Sequence, residues 1–290
     1  MPDLRNPVEA DLPTSEQVAQ YQERGWFISD EIVPHALLDE VAELLVRHQM
    51  RPPDERMRSD VEIEDWAPGD DEAVKNSEYL TLQQPAFAEL TLAPLIGAIA
   101  ARLALAESIR IFDDQAVVKA PGAGETVFGW HTDSAYWSTC TSGQMLTAWI
   151  PLHDTTIEGG TLVVVEGSHH WDIHGNLRLG RESNMDRIST IAERDVPPEL
   201  IVPLELKKGQ VSFHHMDLLH ASGANRSTIP RQAIAVHLQP GDNEYRFAIA
   251  DDGSGVPVVL ANDNLCQRLP DGRPDYADPR TFPVLWPRTP

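Results

Sequence analysis

The sequence predicts a mainly β protein preceded by helices, with its strands arranged as an antiparallel sandwich or barrel. Three observations predict it. Up to about residue 108 the apolar residues recur at helical spacing. From about 109 to 240 they fall in short β-branched and aromatic segments punctuated by Gly, Pro, Asn and Asp. No long helical pattern separates those segments, which argues against a parallel βαβ sheet.

The first helix is written in "TSEQVAQYQERG". Thr14 or Ser15 offers the N-cap, Glu16 an acidic first turn and Gly25 the stop. "WFISD" follows as a short strand. "PHALLDEVAELLVRHQM" is an amphipathic helix: Leu37, Leu38, Val41, Leu44 and Leu45 share a face, and Pro34 stands near its start. Residues 51–77 are polar, acidic and proline-containing, and read as a surface loop with freedom to move. An Ala- and Leu-rich helical region runs from about Pro85 to Leu105. Five strand regions then appear: "SIRIFDDQAVVKAPG", "QMLTAWIPLHD", "GTLVVVEGSH", "LIVPLELKKGQVSFHH" and "RQAIAVHLQ". Between the third and fourth, residues 171–199 form a long polar insertion of the kind that serves function or lacks fixed structure. The tail, 241–290, is rich in turn residues. No linker divides the chain, so residues 1–290 read as one domain: helices to about 108, a β core to about 240, then the tail.

The chain has 290 residues, and 45 acidic against 23 basic residues give a formal charge of −22. Such a surface repels nucleic-acid phosphates and anionic lipid; it attracts cations. Two cysteines make no disulfide framework and fit a reducing compartment. The polar N-terminus carries no secretory pattern, and no apolar stretch is long enough to span a bilayer, so cytoplasm is the expected setting. Glycine-rich phosphate loops, cysteine-rich zinc spacings and a nucleophile elbow are absent from the sequence.

The chemistry concentrates in "GWHTDSAYW", residues 129–137. On a strand, residues i and i+2 share a face, so His131 and Asp133 can present an imidazole and a carboxylate together. Alone the pair is a weak metal site. A second histidine would complete the two-His-one-carboxylate set of non-heme iron enzymes. His214, His215 and His220 are the candidates. His220 is preferred because a turn-rich "ASGANRS" follows it, and Arg231, eleven residues on, can hold a carboxylate bidentately. His214 and His215 read as structural, since neighbours on a strand face opposite ways and neither has the downstream Ser and Arg.

Taken together, His131-x-Asp133, His220 followed by Ser222-Gly223-x-Asn225, and Arg231 resemble the phytanoyl-CoA dioxygenase family of Fe(II)/2-oxoglutarate oxygenases. "EQVAQYQERGWFISDEIVPHALLDEV", "DQAVVKAPG" and "AWIPLHDTTIEGGTLVVVEGSHH" resemble further family segments, so the likeness runs from about residue 15 to 240. Glu166 stands where the family usually has Pro, and Gly159 where it usually has Asn; both bear on loop shape. The resemblance implies a double-stranded β-helix, a cupin-like jelly roll. It implies Fe(II) on His131, Asp133 and His220, with 2-oxoglutarate and O2 as cosubstrates. It gives Arg231 and Ser222 the distal carboxylate of 2-oxoglutarate, and borders the cosubstrate with Trp149, Gln115, Lys119 and Phe128. Trp149 and Phe128 also read as plain core, and Lys119 as a surface lysine. Alternation places residues 115, 117 and 119 on one face. Tyr136, Trp137, Cys140 and His174 are candidate substrate contacts, Thr161 a candidate ligand donor. Asp133 itself favours hydroxylation, because related halogenating enzymes have Gly or Ala there. Desaturation, epoxidation, ring formation and epimerisation remain open from the same site; a non-catalytic metal binder is the reading from another class. A small molecule, such as a secondary metabolite or an amino-acid-like compound, is the expected substrate. The loops at 51–77 and 171–199 are the expected lids.

Overall fold

The computed structural model describes residues 2–122, 128–171, 196–250 and 253–287. Helices come first: α1 Ser15–Arg24, α2 His35–Gln49, α3 Leu80–Gln83, α4 Ala88–Thr91 and α5 Pro94–Leu103, with α6 Ala261–Leu265 in the tail. The strands are β1 Trp26–Ile28, β2 Val74–Glu78, β3 Ile109–Lys119, β4 Phe128–His131, β5 Leu146–Pro151, β6 Leu162–Val165, β7 Ile201–Leu204, β8 Ser212–His215, β9 His220–Ser222, β10 Arg231–Pro240 and β11 Val284–Trp286.

Local signals explain the helices. Thr14 caps α1 in a capping box with Gln17, and Gly25 ends it at φ +84°. A side chain at Gly25 would also meet His169 Nδ1 at 2.5 Å. On α2, Leu38, Val41, Leu44 and Leu45 are buried while Leu37 is only half-buried. The region from Pro85 breaks into a 3-10 turn, α4 and α5, because Ala93 is extended before Pro94. Among the described residues no single helix is long and apolar enough to cross a membrane.

Two antiparallel sheets form the double-stranded β-helix. The larger has seven strands in the order β1-β8-β5-β10-β3-β11, with β2 also on β3; the smaller runs β4-β9-β6-β7. Period-two alternation divides each strand of the larger sheet. Ile234, Val236 and Leu238 of β10, and Ala148 and Ile150 of β5, join the core with α2 and α5. Ala233 and Ala235 of β10, with Trp149 of β5, face the smaller sheet and meet Leu162, Val164 and Leu204. The helices thus cover one face of the large sheet, and the other face lines the space between sheets.

Two expectations are corrected. Residues 51–77 are not simply a free surface loop. Residues 74–78 form β2, in register with β3 from Val74↔Lys119 to Glu78↔Gln115. The rest is clamped: Asp65 holds Arg51 at 3.2 Å and Arg56 at 3.3 Å, and Arg56 donates to four backbone carbonyls. The tail also returns to the fold, since β11 pairs with the start of β3. The second expected lid, 171–199, falls mostly outside the described residues.

Candidate active site

The metal-ligand candidates meet between the sheets. β4 and β9 pair so that His131 lies opposite His220. β4 ends at His131, and Asp133 opens a 3-10 turn. The pair therefore converges through a strand-to-turn junction rather than by alternation along one strand. Ligand atoms of His131, Asp133 and His220 all lie within 4.8 Å of one another. Asp133 Oδ1 is 3.6 Å from His220 Nε2 and 4.0 Å from His131 Nε2.

Their surroundings prepare them as ligands. His131 Nδ1 lies 2.7 Å from the Gly129 carbonyl, and His220 Nδ1 2.9 Å from that of Leu218. A carbonyl only accepts, so each Nδ1 carries the proton and each Nε2 turns its lone pair inward. Burial lowers the pKa of both imidazoles, that of His220 most, and so keeps them neutral. Thr147 Oγ1 donates to Asp133 Oδ2 at 2.6 Å.

Two chambers meet at the triad: both are lined by Gln115, Phe128, His131, Asp133 and His237, and the smaller by His220 as well. The smaller, about 70 Å³, is lined by Trp149, Ser222 and Arg231. Arg231 is 2 % exposed, its Nε has no partner, and its Cζ lies 5.7 Å from the Trp149 ring centroid. Burial pushes the guanidinium down to about 10, still charged at neutral pH. Lys119 stands behind Ser222, donating to Ser222 O at 2.9 Å, Ser222 Oγ at 2.7 Å and Gly223 O at 2.6 Å. With Oγ accepting from Lys119, the Ser222 hydroxyl proton is free to donate elsewhere. Burial, and behind it the Arg231 charge, pushes the Lys119 ammonium down to about 6. The larger chamber, about 280 Å³, is lined by Tyr136 and Trp137 and by carboxylates.

Residues 21–233 match the family described as phytanoyl-CoA dioxygenase (PhyH). The chain belongs to the phytanoyl-CoA dioxygenase family. Its place is thus among the iron- and 2-oxoglutarate-dependent oxygenases. The phytanoyl-CoA dioxygenase domain-containing protein 1 of Danio rerio is 28% identical over 170 residues, 58% of this chain and 58% of that protein. The chain therefore spans a little over half the length of that relative. Among solved structures, the non-heme alpha ketoglutarate dependent epimerase SnoN from nogalamycin biosynthesis is 23% identical at a TM-score of 0.66, covering 93% of this chain and 97% of its own. SnoN has been solved with Fe3+, alpha ketoglutarate and nogalamycin RO. EctD from S. alaskensis with bound Fe is 19% identical at 0.64, over 83% and 82%.

The donor set of this family member suits the group its relatives bind. Two neutral imidazoles and one carboxylate suit Fe(II), and the buried, unpartnered Arg231 Nε suits a carboxylate. Gln115, Phe128, Trp149, Ser222 and Arg231 line the small chamber, while Lys119 reaches it through Ser222. Tyr136 and Trp137 line the large one.

Cys140 lines neither chamber. It is 2 % exposed, packed with Phe112, Trp137 and Met145, and burial pushes its thiol up to about 12. Thr161 is spent on the Leu204 carbonyl at 2.5 Å. His174 lies outside the described residues.

His214 is the main surprise. It is 2 % exposed, its Nε2 lies 3.3 Å from Asp133 Oδ2, and neither ring nitrogen has a hydrogen-bond partner. Beside the structural role expected for it, His214 lines the small chamber. His237, given no role from the sequence, contacts Thr147 at 2.8 Å and Gln115 at 3.1 Å.

Proposed function

We propose that the chain is an Fe(II)/2-oxoglutarate-dependent oxygenase that hydroxylates an unactivated C–H bond of a small molecule, releasing succinate and CO2. One observation carries the reading: the ligand triad lies where a small chamber lined by Arg231 adjoins a larger one. That division suits a dicarboxylate cosubstrate on one side and a substrate on the other.

His131, Asp133 and His220 hold the iron. Iron with 2-oxoglutarate and O2 supplies the oxidising power. The chain supplies placement. Arg231 and the Ser222 hydroxyl bind the distal carboxylate, whose charge offsets the buried Arg231. Thr147 keeps Oδ2 of Asp133 occupied and so leaves Oδ1 as the ligand atom. Tyr136 and Trp137 wall the substrate side and exclude water. The Asp133 carboxylate fills the position a halide would need, which favours hydroxylation. Desaturation, epoxidation, ring formation and epimerisation diverge later and are separated by product analysis. Against a non-catalytic metal binder, Arg231 and Ser222 have no use without a cosubstrate.

Anaerobic addition of Fe(II) and 2-oxoglutarate tests the reading. A weak visible charge-transfer band is expected in the wild type, lost in His131→Ala and weakened in Arg231→Ala. No band in the wild type sinks the proposal. A compound screen scored by succinate release then identifies the substrate.

A further inference from the structure

The tail beyond β10 carries an exposed apolar face beside the large chamber. Residues 246–250 and 256–260 run antiparallel as a two-stranded ribbon. Ala250 N donates to Val256 O and Val258 N to Ala248 O, both at 2.9 Å, around the pair Ile249↔Pro257. Alternation from that pair puts Phe247 and Val259 on the face of Ile249 and Pro257. All four are exposed, Phe247 at 64 %, Ile249 at 51 % and Val259 at 49 %. Val256 stands on the opposite face and is exposed too.

A ribbon this short does not hold itself. Both of its ends are fastened beside the chamber. At the first end Arg246 N donates to Thr139 O at 2.8 Å and Arg246 Nε to Ser138 O at 2.9 Å, and Tyr245 forms a single bridge with Cys140. That stretch follows directly on Trp137, which lines the chamber. At the second end Val259, Leu260, Ala261 and Asn262 line the chamber one after another, and Leu260 N donates to Asp263 Oδ2 at 2.9 Å as α6 begins. Val259 therefore belongs to the apolar face of the ribbon and to the chamber wall at once. Through it the apolar part of the chamber lining continues onto Ile249 and Phe247. Contiguous exposed apolar surface of this kind marks a place where something binds.

A second copy of the chain suits this face poorly. A strand added by another copy needs the outer edge of the ribbon. The backbone groups of the pair Ile249↔Pro257 point away from each other, and Pro257 has no N–H to offer there, which blunts that edge. Face-to-face packing covers four side chains on each copy, far short of the roughly 800 Å² per partner that a stable interface buries. A small molecule needs neither an open edge nor that area.

Resting on the oxygenase reading above, we propose that the ribbon is the outer part of the substrate site. The substrate carries an apolar body that extends beyond the chamber and lies on Phe247, Ile249 and Val259, while the C–H bond to be oxidised reaches in to the triad. These three residues then select the substrate.

The test uses the full chain loaded with Zn(II) and 2-oxoglutarate, and the neutral apolar probe N-phenyl-1-naphthylamine, whose fluorescence rises when it leaves water. Saturable binding is expected in the wild type. It is expected to weaken about tenfold in Phe247→Ser and in Ile249→Ser, the scale set by burial of one large apolar side chain. Val256→Ser, on the opposite face, is expected to leave it unaltered. Circular dichroism confirms folding, and either of the first two variants that folds carries the comparison. With Mn(II) in place of Zn(II), the proton resonances of the bound probe are expected to broaden, because the probe lies next to the triad. Absence of saturable binding overturns the proposal. So does binding indifferent to Phe247 and Ile249, or weakened equally by Val256→Ser, and so do resonances that Mn(II) leaves sharp. A concentration-dependent dimer in sedimentation that Phe247→Ser abolishes assigns the face to a second copy and overturns it as well. The Fe(II)/2-oxoglutarate band is read separately, without probe, so the oxygenase reading and the substrate class fail independently.

Discussion

His214 leaves two ring nitrogens without partners in a buried position, an arrangement that normally costs stability. Its Nε2 is beside Asp133 Oδ2, the oxygen that Thr147 also holds. It does not join the triad as a fourth ligand, since only the three others share the 4.8 Å cluster. A role for it at a bound metal would therefore pass through Asp133. His214→Phe removes two unpartnered nitrogens but also the contact with Asp133, so the metal-free protein is expected to change little in stability. Metal affinity is expected to fall about tenfold, as for other partners of ligating groups. Titration with Co(II) beside a thermal melt separates the two; an unchanged metal affinity rules out the role. At the cosubstrate end, Arg231→Lys keeps charge but loses the fork. The 2-oxoglutarate concentration that half-saturates the Fe(II) band is expected to rise at least about tenfold, and an unchanged value would show that Arg231 does not hold the cosubstrate. His131, Asp133, His220 and Arg231 were legible because their chemistry follows a linear spacing. His214 and His237 were not, because no motif marks them. The signal existed in register: Thr147 opposes both His214 and His237, and Trp149, two residues on, shares its face.

Among the elements, the smaller sheet depends on one close approach. Gly160 precedes β6 at φ +71°, and a Cβ there would sit 2.5 Å from the Gly223 carbonyl, just beyond β9. β6 pairs with β9 from Leu162↔Ser222 to Val164↔His220, so this turn fixes the strand that carries one histidine of the triad and Ser222. Gly160→Ala is expected to cost about 1–3 kcal/mol in urea unfolding and to weaken 2-oxoglutarate binding as well. A loss of stability without a loss of cosubstrate affinity would show that β9 tolerates the shift. The β core was readable from its β-branched segments, and the helices from caps and periodicity. β2 and β11 were not. Val74–Glu78 is too polar to announce a strand, and its pairing comes from β3 offering an open edge. The bulge where β3 skips Phe112 opposite β10 is equally silent in sequence, because an alternating pattern reads the same on either side of one extra residue.

For the molecule as a whole, the formal charge of −22 is not only a surface property. Part of the acidity is buried. Asp114, 1 % exposed, accepts hydrogen bonds from Thr81 N and Oγ1, yet burial raises its carboxyl to about 6. The sign follows from linkage. Between the unfolded value, about 4, and about 6, the folded chain keeps a proton that the unfolded chain has released, so stability falls as pH rises through that window. Two units correspond to roughly 3 kcal/mol, all of it lost above about pH 6. Asp113 acts in the same direction. Repulsion among surface carboxylates gives a similar trend, but salt screens it, whereas a buried group is screened much less. Urea midpoints measured from about pH 4 to 7 at low and high NaCl divide the two. The part of the slope that persists in high salt is expected to flatten in Asp114→Asn, which keeps an acceptor for Thr81 without the charge. If the slope disappears in salt for the wild type, the pH dependence belongs to the surface and not to the acidic strand beside the large chamber.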